Sequence, residues 1–305
     1  MINSSEQKPL LKVENLTVTY GLGGGLFGAG QKKFNAVNNV SFEIGKGEIV
    51  GLVGESGSGK TTTAQRIESF LENYGVETHT ISLDCYFSTL AKELIPTADL
   101  ESPERLDKDL LTEHIDCLLK CKEIELPEFD FANTRQLKSG IKIKRKPNEI
   151  IVFEGIHALN PDAVPVLEGE SKMYISVRTR VEYGDGKLLH PRYIRLLRRM
   201  SRDMRFRGRE PIDTLSYFAS VERGVDNFVS PYKIYADYSI DTFIEYEPLA
   251  YRDEMLEKLL ATRGLAKGEE ERVLELLIEF LQSYEGKKPS IVPEKSLIRE
   301  FIGQK

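Results

Sequence analysis

One eight-residue segment constrains this chain more than any other. Residues 54–61 read G-E-S-G-S-G-K-T and match the phosphate-loop pattern G-x-x-x-x-G-K-[ST] at every fixed position. Residues 48–53 form a short apolar run typical of a buried strand, and residues 61–74 have the spacing of an amphipathic helix that ends at Gly75. The order of strand, glycine loop and helix predicts a site for a nucleoside triphosphate.

The residue types of this loop indicate its chemistry. Glycines let the backbone wrap around a polyphosphate, so that successive N–H groups and the helix N-terminus face the anion. Lys60 adds a positive charge, and the Thr61 hydroxyl can bind magnesium. An ordinary glycine turn before a helix is the alternative. The predicted nucleotide-binding residues here are Gly54, Glu55, Ser56, Gly57, Ser58, Gly59, Lys60, Thr61 and Thr62.

The composition indicates a globular protein. With 305 residues, 40% of them hydrophobic, the chain can form one large domain or one domain with appendages. Its apolar runs are shorter than the ~18 residues of a membrane span, and residues 1–12 lack the apolar core of a signal peptide. Its 3 cysteines form no even set for disulfide pairing. We therefore expect a cytoplasmic protein, and the net charge of -6 argues against general binding to nucleic acid.

The order of patterns along the chain predicts an α/β fold. Residues 11–44 have alternating apolar positions, and from residue 48 onward strand patterns alternate with helical ones. This rhythm predicts a P-loop NTPase fold, in which helices flank a mostly parallel sheet. The predicted units are an N-terminal β-rich extension (1–46), a P-loop core (47–247) and a C-terminal helical segment (248–305).

Two carboxylates directly follow predicted strands. The apolar run at residues 150–153 ends in Glu154, and the strand at residues 80–83 ends in Asp84. Because the carboxyl ends of parallel strands meet at one edge of the sheet, both side chains can reach a bound triphosphate. We predict that Glu154 holds magnesium together with Thr61 and that Asp84 is the general base for an attacking hydroxyl. Ordinary turn or helix-capping carboxylates are the alternative.

A run of arginines occupies residues 195–209. Five of them recur at three- and four-residue spacings, so one face of a helix can close over phosphates with planar, bidentate donors. A solvated or nucleic-acid-binding basic helix is the alternative.

From about residue 48 to the C-terminus the chain resembles uridine kinases and related nucleoside kinases. Residues 82–87, S-L-D-C-Y-F, resemble the segment that carries the catalytic aspartate of that family. Residues 195–209 match its lid pattern R-L-x-R-R-x-x-R-D-x-x-x-R-G-R at every fixed position, and residues 296–303 resemble the C-terminus of bacterial members. The resemblance implies an ATP- and magnesium-dependent kinase that phosphorylates a hydroxyl group of a small molecule.

The resemblance also implies how substrate is bound. Residues 126–131, L-P-E-F-D-F, resemble a hairpin whose aromatic rings flank the nucleobase, although plain packing is the alternative for such rings. Residues 101–104, E-S-P-E, resemble a segment whose acid holds the ribose hydroxyls. The predicted catalytic residues are Asp84, Lys60 and Arg198, and Arg202 joins the nucleotide-binding set. The predicted substrate-binding residues are Tyr86, Glu101, Phe129, Phe131 and Arg195.

Three departures from the family pattern leave the substrate open. Residues 132–135 lack the histidine that reads the base, Glu101 stands where an aspartate is usual, and Tyr193 replaces an aspartate of the lid. We expect the 5′ hydroxyl of uridine, cytidine or a related nucleoside as the acceptor. Phosphoribulokinase-like and pantothenate-kinase-like activities are the alternatives, and homo-oligomerisation stays open.

The first 62 or so residues resemble a different family, the ABC transporter ATPases of the oligopeptide-importer kind. Residues 11–20 and 36–48 carry this resemblance, which makes Tyr20 a stacking platform for adenine. The chain lacks the L-S-G-G-Q signature and the strand ending in Asp-Glu that such ATPases require. A transporter subunit and a non-catalytic nucleotide-binding module are therefore the alternatives from other functional classes.

Overall fold

The computed structural model describes most of the chain. The described residues are 11–21, 33–45, 49–94, 98–99, 101–131, 133–167, 169–288, 290 and 292–303. The strands found there are β1 (Leu11–Gly21), β2 (Lys33–Ile44), β3 (Ile49–Gly54), β4 (Thr78–Ser82), β5 (Glu123–Asp130), β6 (Arg135–Lys144), β7 (Ile150–Gly155), β8 (Ser171–Ser176), β9 (Val181–Tyr183), β10 (Lys187–Leu189) and β11 (Tyr238–Asp241). The α-helices are α1 (Lys60–Asn73), α2 (Lys108–Leu119), α3 (Pro191–Phe206), α4 (Pro211–Phe228), α5 (Glu247–Thr262), α6 (Glu269–Gln282) and α7 (Arg299–Ile302).

The centre of the fold is a parallel sheet. Its strand order is β11-β8-β3-β7-β4, and every neighbouring pair in this order is parallel. Parallel sheets need helices on their faces, and α1 and α2 connect strands of this sheet along the chain. The predicted α/β fold is therefore confirmed.

Alternating side chains of the central strands cover both faces of the sheet. In β3, Val50 and Leu52 pack with Ala64 of α1 on one face, whereas Ile49 and Val53 pack on the other. Every residue of β3 and of β7 is buried. Two-sided burial explains why both strands read as continuous apolar runs, and it fixes the level at which their carboxyl ends emerge.

The C-terminal helices form a second core around α3. Leu197 and Met200 of α3 pack in one cluster with Tyr251 of α5, Leu277 of α6 and Phe301 of α7. The arginine-rich helix is therefore held against the body of the protein along its apolar face.

Two hairpins lie beside the central sheet. Strands β5 and β6 pair antiparallel, as predicted for this part of the chain. Strands β1 and β2 also pair antiparallel, from Leu11 opposite Ile44 to Gly21 opposite Lys33. The glycine-rich residues 22–30 between them lie outside the described residues, and the side chain of Tyr20 does as well. The Glu43 N–H donates to the Tyr238 hydroxyl at 3.3 Å, which connects β2 to the β11 edge.

The predicted boundary between core and C-terminal segment falls at the start of α5, and the division into units stays a prediction. Within the described ranges, no helix has the length and apolar character needed to cross a membrane.

Candidate active site

The phosphate loop connects β3 to α1 in a conformation that requires glycine. Gly57 and Gly59 both have φ of +80°, a value that L side chains rarely adopt. A Cβ atom on Gly54 would lie 2.4 Å from Ser58 Oγ, and one on Gly57 would lie 2.8 Å from the carbonyl oxygen of Arg195. Helix α1 begins at Lys60, so its first N–H groups border the loop. This geometry is a cradle for phosphate groups.

Lys60, Thr61 and Glu154 meet at the start of α1. The Thr61 hydroxyl donates to Glu154 Oε1 at 3.3 Å, and Lys60 Nζ lies 3.8 Å from Glu154 Oε2. The Glu154 side chain is buried, and its Oε2 accepts no hydrogen bond from the described residues. A buried carboxylate oxygen beside a threonine hydroxyl is a donor set that suits magnesium. The structure thus brings together the two predicted metal ligands.

Asp84 lies at the same edge of the sheet. It follows β4, which pairs with β7 so that Ser82 stands opposite Glu154. The Asp84 carboxylate is half-buried, and its charge acts on both Lys60 and Glu154. The predicted base and the predicted metal ligand therefore share one site.

Burial and neighbouring charges act in opposite directions on the pKa values of Glu154 and Lys60. Burial raises the pKa of Glu154, and the attraction of Lys60 partly offsets that rise. For Lys60, burial acts against the charged form, but Glu154 and Asp84 attract the ammonium and leave its pKa raised. Lys60 is therefore a permanent cation at neutral pH.

Two of the predicted arginines form ion pairs with carboxylates of the protein itself. Arg195 lies 2.8 Å from Glu55 and 2.9 Å from Glu222. Arg198 is fully buried, and it donates to both carboxylate oxygens of Glu247, at 2.6 and 2.8 Å. Arg198 also donates to the Gly57 carbonyl at 3.1 Å. These contacts favour a positioning role for both arginines over the direct contacts with substrate and phosphate that we predict from sequence.

Among the arginines predicted to close over phosphate groups, Arg199 and Arg202 of α3 lie near the phosphate loop. Arg199 donates to Ser56 Oγ in the phosphate loop at 3.1 Å. Arg202 lies 3.8 Å from Glu300, which accepts a hydrogen bond from the Thr62 hydroxyl. Both guanidinium groups lie within 4 Å of the fully buried carboxylate of Asp203. Arg199 therefore contacts the loop, and Arg202 lies close enough to act on Lys60, but the nucleotide-binding role of Arg202 stays a prediction.

The C-terminal segment forms a wall of the site. A Cβ atom on Gly59 would lie 2.6 Å from a methyl carbon of Leu297. A cavity of about 1080 Å³ lies between α1 and this segment. Its lining includes Thr62, Arg66, Phe70, Phe206, Arg299 and Glu300. The cavity starts beside the phosphate loop and extends along α1.

Glu101 lies near the charged residues of the same site. Its side chain packs on Gly224 of α4, where an added Cβ atom would lie 2.7 Å from Glu101 Cβ. Burial raises the pKa of Glu101, Arg199 opposes the rise, and Asp84 and Lys60 also act on it. The structure therefore brings Glu101 to the charged site, where the resemblance predicts contact with acceptor hydroxyls.

The predicted aromatic residues separate into two groups. Phe129 contacts Phe87 and Phe131 edge-on, with ring centroids 5.6 and 5.1 Å apart, and Phe131 is 63% exposed at the hairpin end. Tyr86 is fully buried, and its hydroxyl is 3.0 Å from His114 Nδ1. The geometry favours packing for Tyr86 over the substrate contact that we predict from sequence.

Comparison with known proteins identifies the family. The Phosphoribulokinase / Uridine kinase family matches residues 49–246. The chain belongs to this kinase family. Uridine kinases of Halobacterium salinarum and Staphylococcus aureus are similar to it, with 32% identity over 192 residues and 34% identity over 194 residues. Each alignment covers 62% of this chain, and they cover 77% and 84% of the two relatives.

A solved structure described as a possible uridine kinase from Bacillus stearothermophilus is also similar. It covers 66% of this chain and 91% of that chain, with 16% identity and a TM-score of 0.44. The family match over residues 49–246 confirms the predicted uridine kinase resemblance at the level of the family. The ABC transporter resemblance of the first 62 or so residues has no support in these comparisons, and the family match begins only at residue 49.

Sequence reasoning missed three residues of this kinase site. Glu300 and Leu297 reach the phosphate loop from more than 230 residues away along the chain, which no local pattern reveals. His157 is buried three residues after Glu154, in the turn that follows β7. Its position directly after the strand end that carries Glu154 was the available signal, because such turns border the site in parallel sheets.

Proposed function

We propose that this protein is an ATP- and magnesium-dependent kinase that phosphorylates the 5′ hydroxyl of a pyrimidine nucleoside in the cytoplasm. The observation that carries this proposal is the meeting of Lys60, Thr61, Glu154 and Asp84 at one edge of the sheet. The uridine kinases among its relatives support the choice of acceptor.

The phosphate loop and two side chains fit the proposed nucleotide and metal. Thr61 and the buried Glu154 Oε2, which accepts no hydrogen bond from the described residues, would hold magnesium, directly or through water. When bound, magnesium supplies positive charge to the phosphate oxygens during transfer. The cavity along α1 borders Thr61 and Thr62, and its volume is sufficient for the nucleoside part of ATP.

The chain's own groups have separate tasks in the proposed reaction. Asp84 accepts the proton of the acceptor hydroxyl as that oxygen attacks the γ-phosphorus. The new oxygen–phosphorus bond forms while the bond from the γ-phosphorus to the bridging oxygen breaks, and ADP leaves. Lys60 and Arg199 stabilise negative charge on the transferring group, because their cations lie beside the loop.

Recognition of the acceptor rests on Glu101 and the β5–β6 hairpin. Glu101 is half-buried, Arg199 and Asp84 act on its charge, and a carboxylate there can accept hydrogen bonds from two ribose hydroxyls. Phe129 and Phe131 offer aromatic edges and faces to a base on the β5–β6 hairpin. The absence of the expected histidine from residues 132–135 reduces the specific contacts available to uracil.

A panel assay tests this proposal. Purified protein is incubated with ATP, magnesium and one alcohol at a time, and ADP release and the phosphorylated product are measured. We expect uridine and cytidine to be phosphorylated, and the Lys60→Ala variant to form no product above background. Preferential phosphorylation of D-ribulose 5-phosphate or pantothenate would overturn the nucleoside assignment, and hydrolysis of ATP without any acceptor product would overturn kinase function.

A further inference from the structure

A buried histidine next to the reacting centre has no role in the mechanism above. His157 is 1% exposed, and neither of its ring nitrogens makes a hydrogen bond with the described residues. Asn160, in the same turn, is also 1% exposed, and its Nδ2 has no partner within the described ranges. Because buried polar groups are normally hydrogen-bonded, two such groups in one turn indicate a function for the turn.

The surroundings of His157 place it on the acceptor side. Asp84 and Asp99 act on the ring electrostatically, and the Glu101 backbone also favours its protonation. The edge of the ring faces Phe228 of α4, with centroids 6.4 Å apart. His157 therefore lies near both the predicted base, Asp84, and the predicted hydroxyl-binding residue, Glu101.

We propose that His157 hydrogen-bonds a hydroxyl group of the acceptor and thereby determines which alcohol is positioned for attack. This inference rests on the kinase function proposed above. It adds a polar contact on the sugar side of the acceptor, distinct from the aromatic hairpin that faces the base.

The chemistry of the ring suits a neutral alcohol. Burial lowers the pKa of His157 to about 4, so at neutral pH the imidazole carries one donor nitrogen and one acceptor nitrogen. A hydroxyl group is likewise a donor and an acceptor, and it can satisfy a neutral imidazole without bringing a charge into a buried place. By contrast His114, a structural histidine in the same core, already has a hydrogen-bond partner, because its Nδ1 contacts the Tyr86 hydroxyl.

Steady-state kinetics of two variants test the inference. For His157→Phe we expect the KM of the phosphorylated acceptor to rise by about ten- to hundredfold, because a hydrogen bond to the acceptor is lost. The KM of ATP should stay within about twofold of the wild-type value. His157→Gln keeps a donor and an acceptor, so its acceptor KM should lie between those of the wild type and His157→Phe.

His79→Gln is the matched control, because His79 pairs with Glu149 near the opposite end of the sheet. It should leave both KM values unchanged. Equal increases of the acceptor and ATP KM values in the His157 variants, or no change in either, would overturn the inference.

Nitrogen NMR of the imidazole rings gives a readout that does not depend on turnover. The chain has 4 histidines, so ¹⁵N-labelled rings can be assigned by single substitutions. In the protein saturated with ADP and magnesium, we expect uridine to shift the His157 nitrogens and to leave those of His79 in place. Should the panel identify another alcohol, that alcohol is the probe.

The two proposals fail in different ways. An active kinase whose acceptor leaves the His157 signals unmoved overturns this inference alone. A protein that phosphorylates no alcohol in the panel overturns the kinase proposal and this inference together.

Discussion

At the residue scale, the two acids of the site differ in their surroundings. Glu154 is buried next to Lys60 and accepts a hydrogen bond from the Thr61 hydroxyl. Asp84 is half-buried, and its charge also acts on Lys60. Burial and a neighbouring cation suit a carboxylate that holds metal, and partial exposure suits one that meets an incoming hydroxyl. The two positions therefore predict separate defects on substitution.

Substitution of the acids should separate proton transfer from metal binding. Asp84→Asn should lower kcat by about 10² to 10⁴ with little change in ATP affinity, as expected for loss of a general base. Glu154→Gln should instead raise the magnesium concentration needed for half-maximal rate. Initial rates at varied magnesium and ATP measure both effects. Small, equal effects of the two variants would make both residues ordinary turn carboxylates.

His157 should make the fold sensitive to mild acid. Its pKa is lowered to about 4 by burial, against about 6.5 for an unfolded histidine, so the unfolded chain binds the proton more readily. Stability from this group is present above pH 6.5 and is lost as the pH falls towards 4. Between pH 7 and pH 5 the free energy of unfolding should fall by about 2 kcal/mol more in wild type than in His157→Gln.

Urea unfolding of both proteins at the two pH values measures this difference. Parallel losses of stability in wild type and variant would show that His157 titrates normally.

At the scale of elements, α3 is tied to the phosphate loop and to α5 by one buried ion pair. Arg198 and Glu247 have no exposed side-chain surface, and Arg198 also reaches the Gly57 carbonyl and Thr242. The stability of a fully buried ion pair depends on hydrogen bonds to all of its polar atoms. The pair therefore fixes the helix, the loop and the start of α5 relative to one another.

Removing one partner of this ion pair should lower the free energy of unfolding more than replacing both partners with apolar residues. Arg198→Met leaves a buried, unpaired carboxylate and should lower the free energy of unfolding by about 3–5 kcal/mol, whereas Arg198→Met with Glu247→Leu should recover most of that loss. Both variants should bind ATP more weakly, because the Gly57 carbonyl loses its donor. Urea titration and ATP binding measure these effects. A single variant as stable as wild type would show that the pair contributes nothing.

Local sequence patterns predicted the strands and helices around the phosphate loop, because the apolar pattern of consecutive residues there reflects which side chains are buried. The strands β3 and β7, helix α1 and the β5–β6 hairpin all occur where the sequence predicts them. The roles of Arg195 and Arg198 could not be predicted in this way, because helical spacing does not reveal the distant carboxylates Glu222 and Glu247. Strand β11 was also missed, since it is only four residues long.

At the scale of the whole molecule, the two ends of the described chain differ in their relation to the site. The β1–β2 hairpin contacts strand β11 at the edge of the sheet through Glu43. Strand β8 separates β11 from β3, the strand that leads into the phosphate loop. The C-terminal segment instead places Leu297 and Glu300 against the loop and α1. Truncations at the two ends should therefore have opposite consequences.

Deletion of residues 1–45 should preserve catalysis. We expect kcat/KM for ATP to change by less than about threefold, or about 0.7 kcal/mol, because the site residues named above all follow the hairpin in sequence. Deletion of residues 296–305 is the contrasting variant and should abolish ATP binding. Initial rates and circular dichroism of both truncated proteins measure the outcome. A folded N-terminal truncation without kinase activity would contradict this division of roles.

The buried carboxylate of Asp203 has a consequence for how nucleotide binds. It holds Arg199, Arg202 and Arg207 together in the folded chain, and it accepts from the Thr214 hydroxyl at 3.2 Å. Ordering a free arginine side chain costs about 1.5–2 kcal/mol of conformational entropy. Here that loss occurs during folding, so these guanidinium groups are preorganised and an incoming triphosphate need not order them.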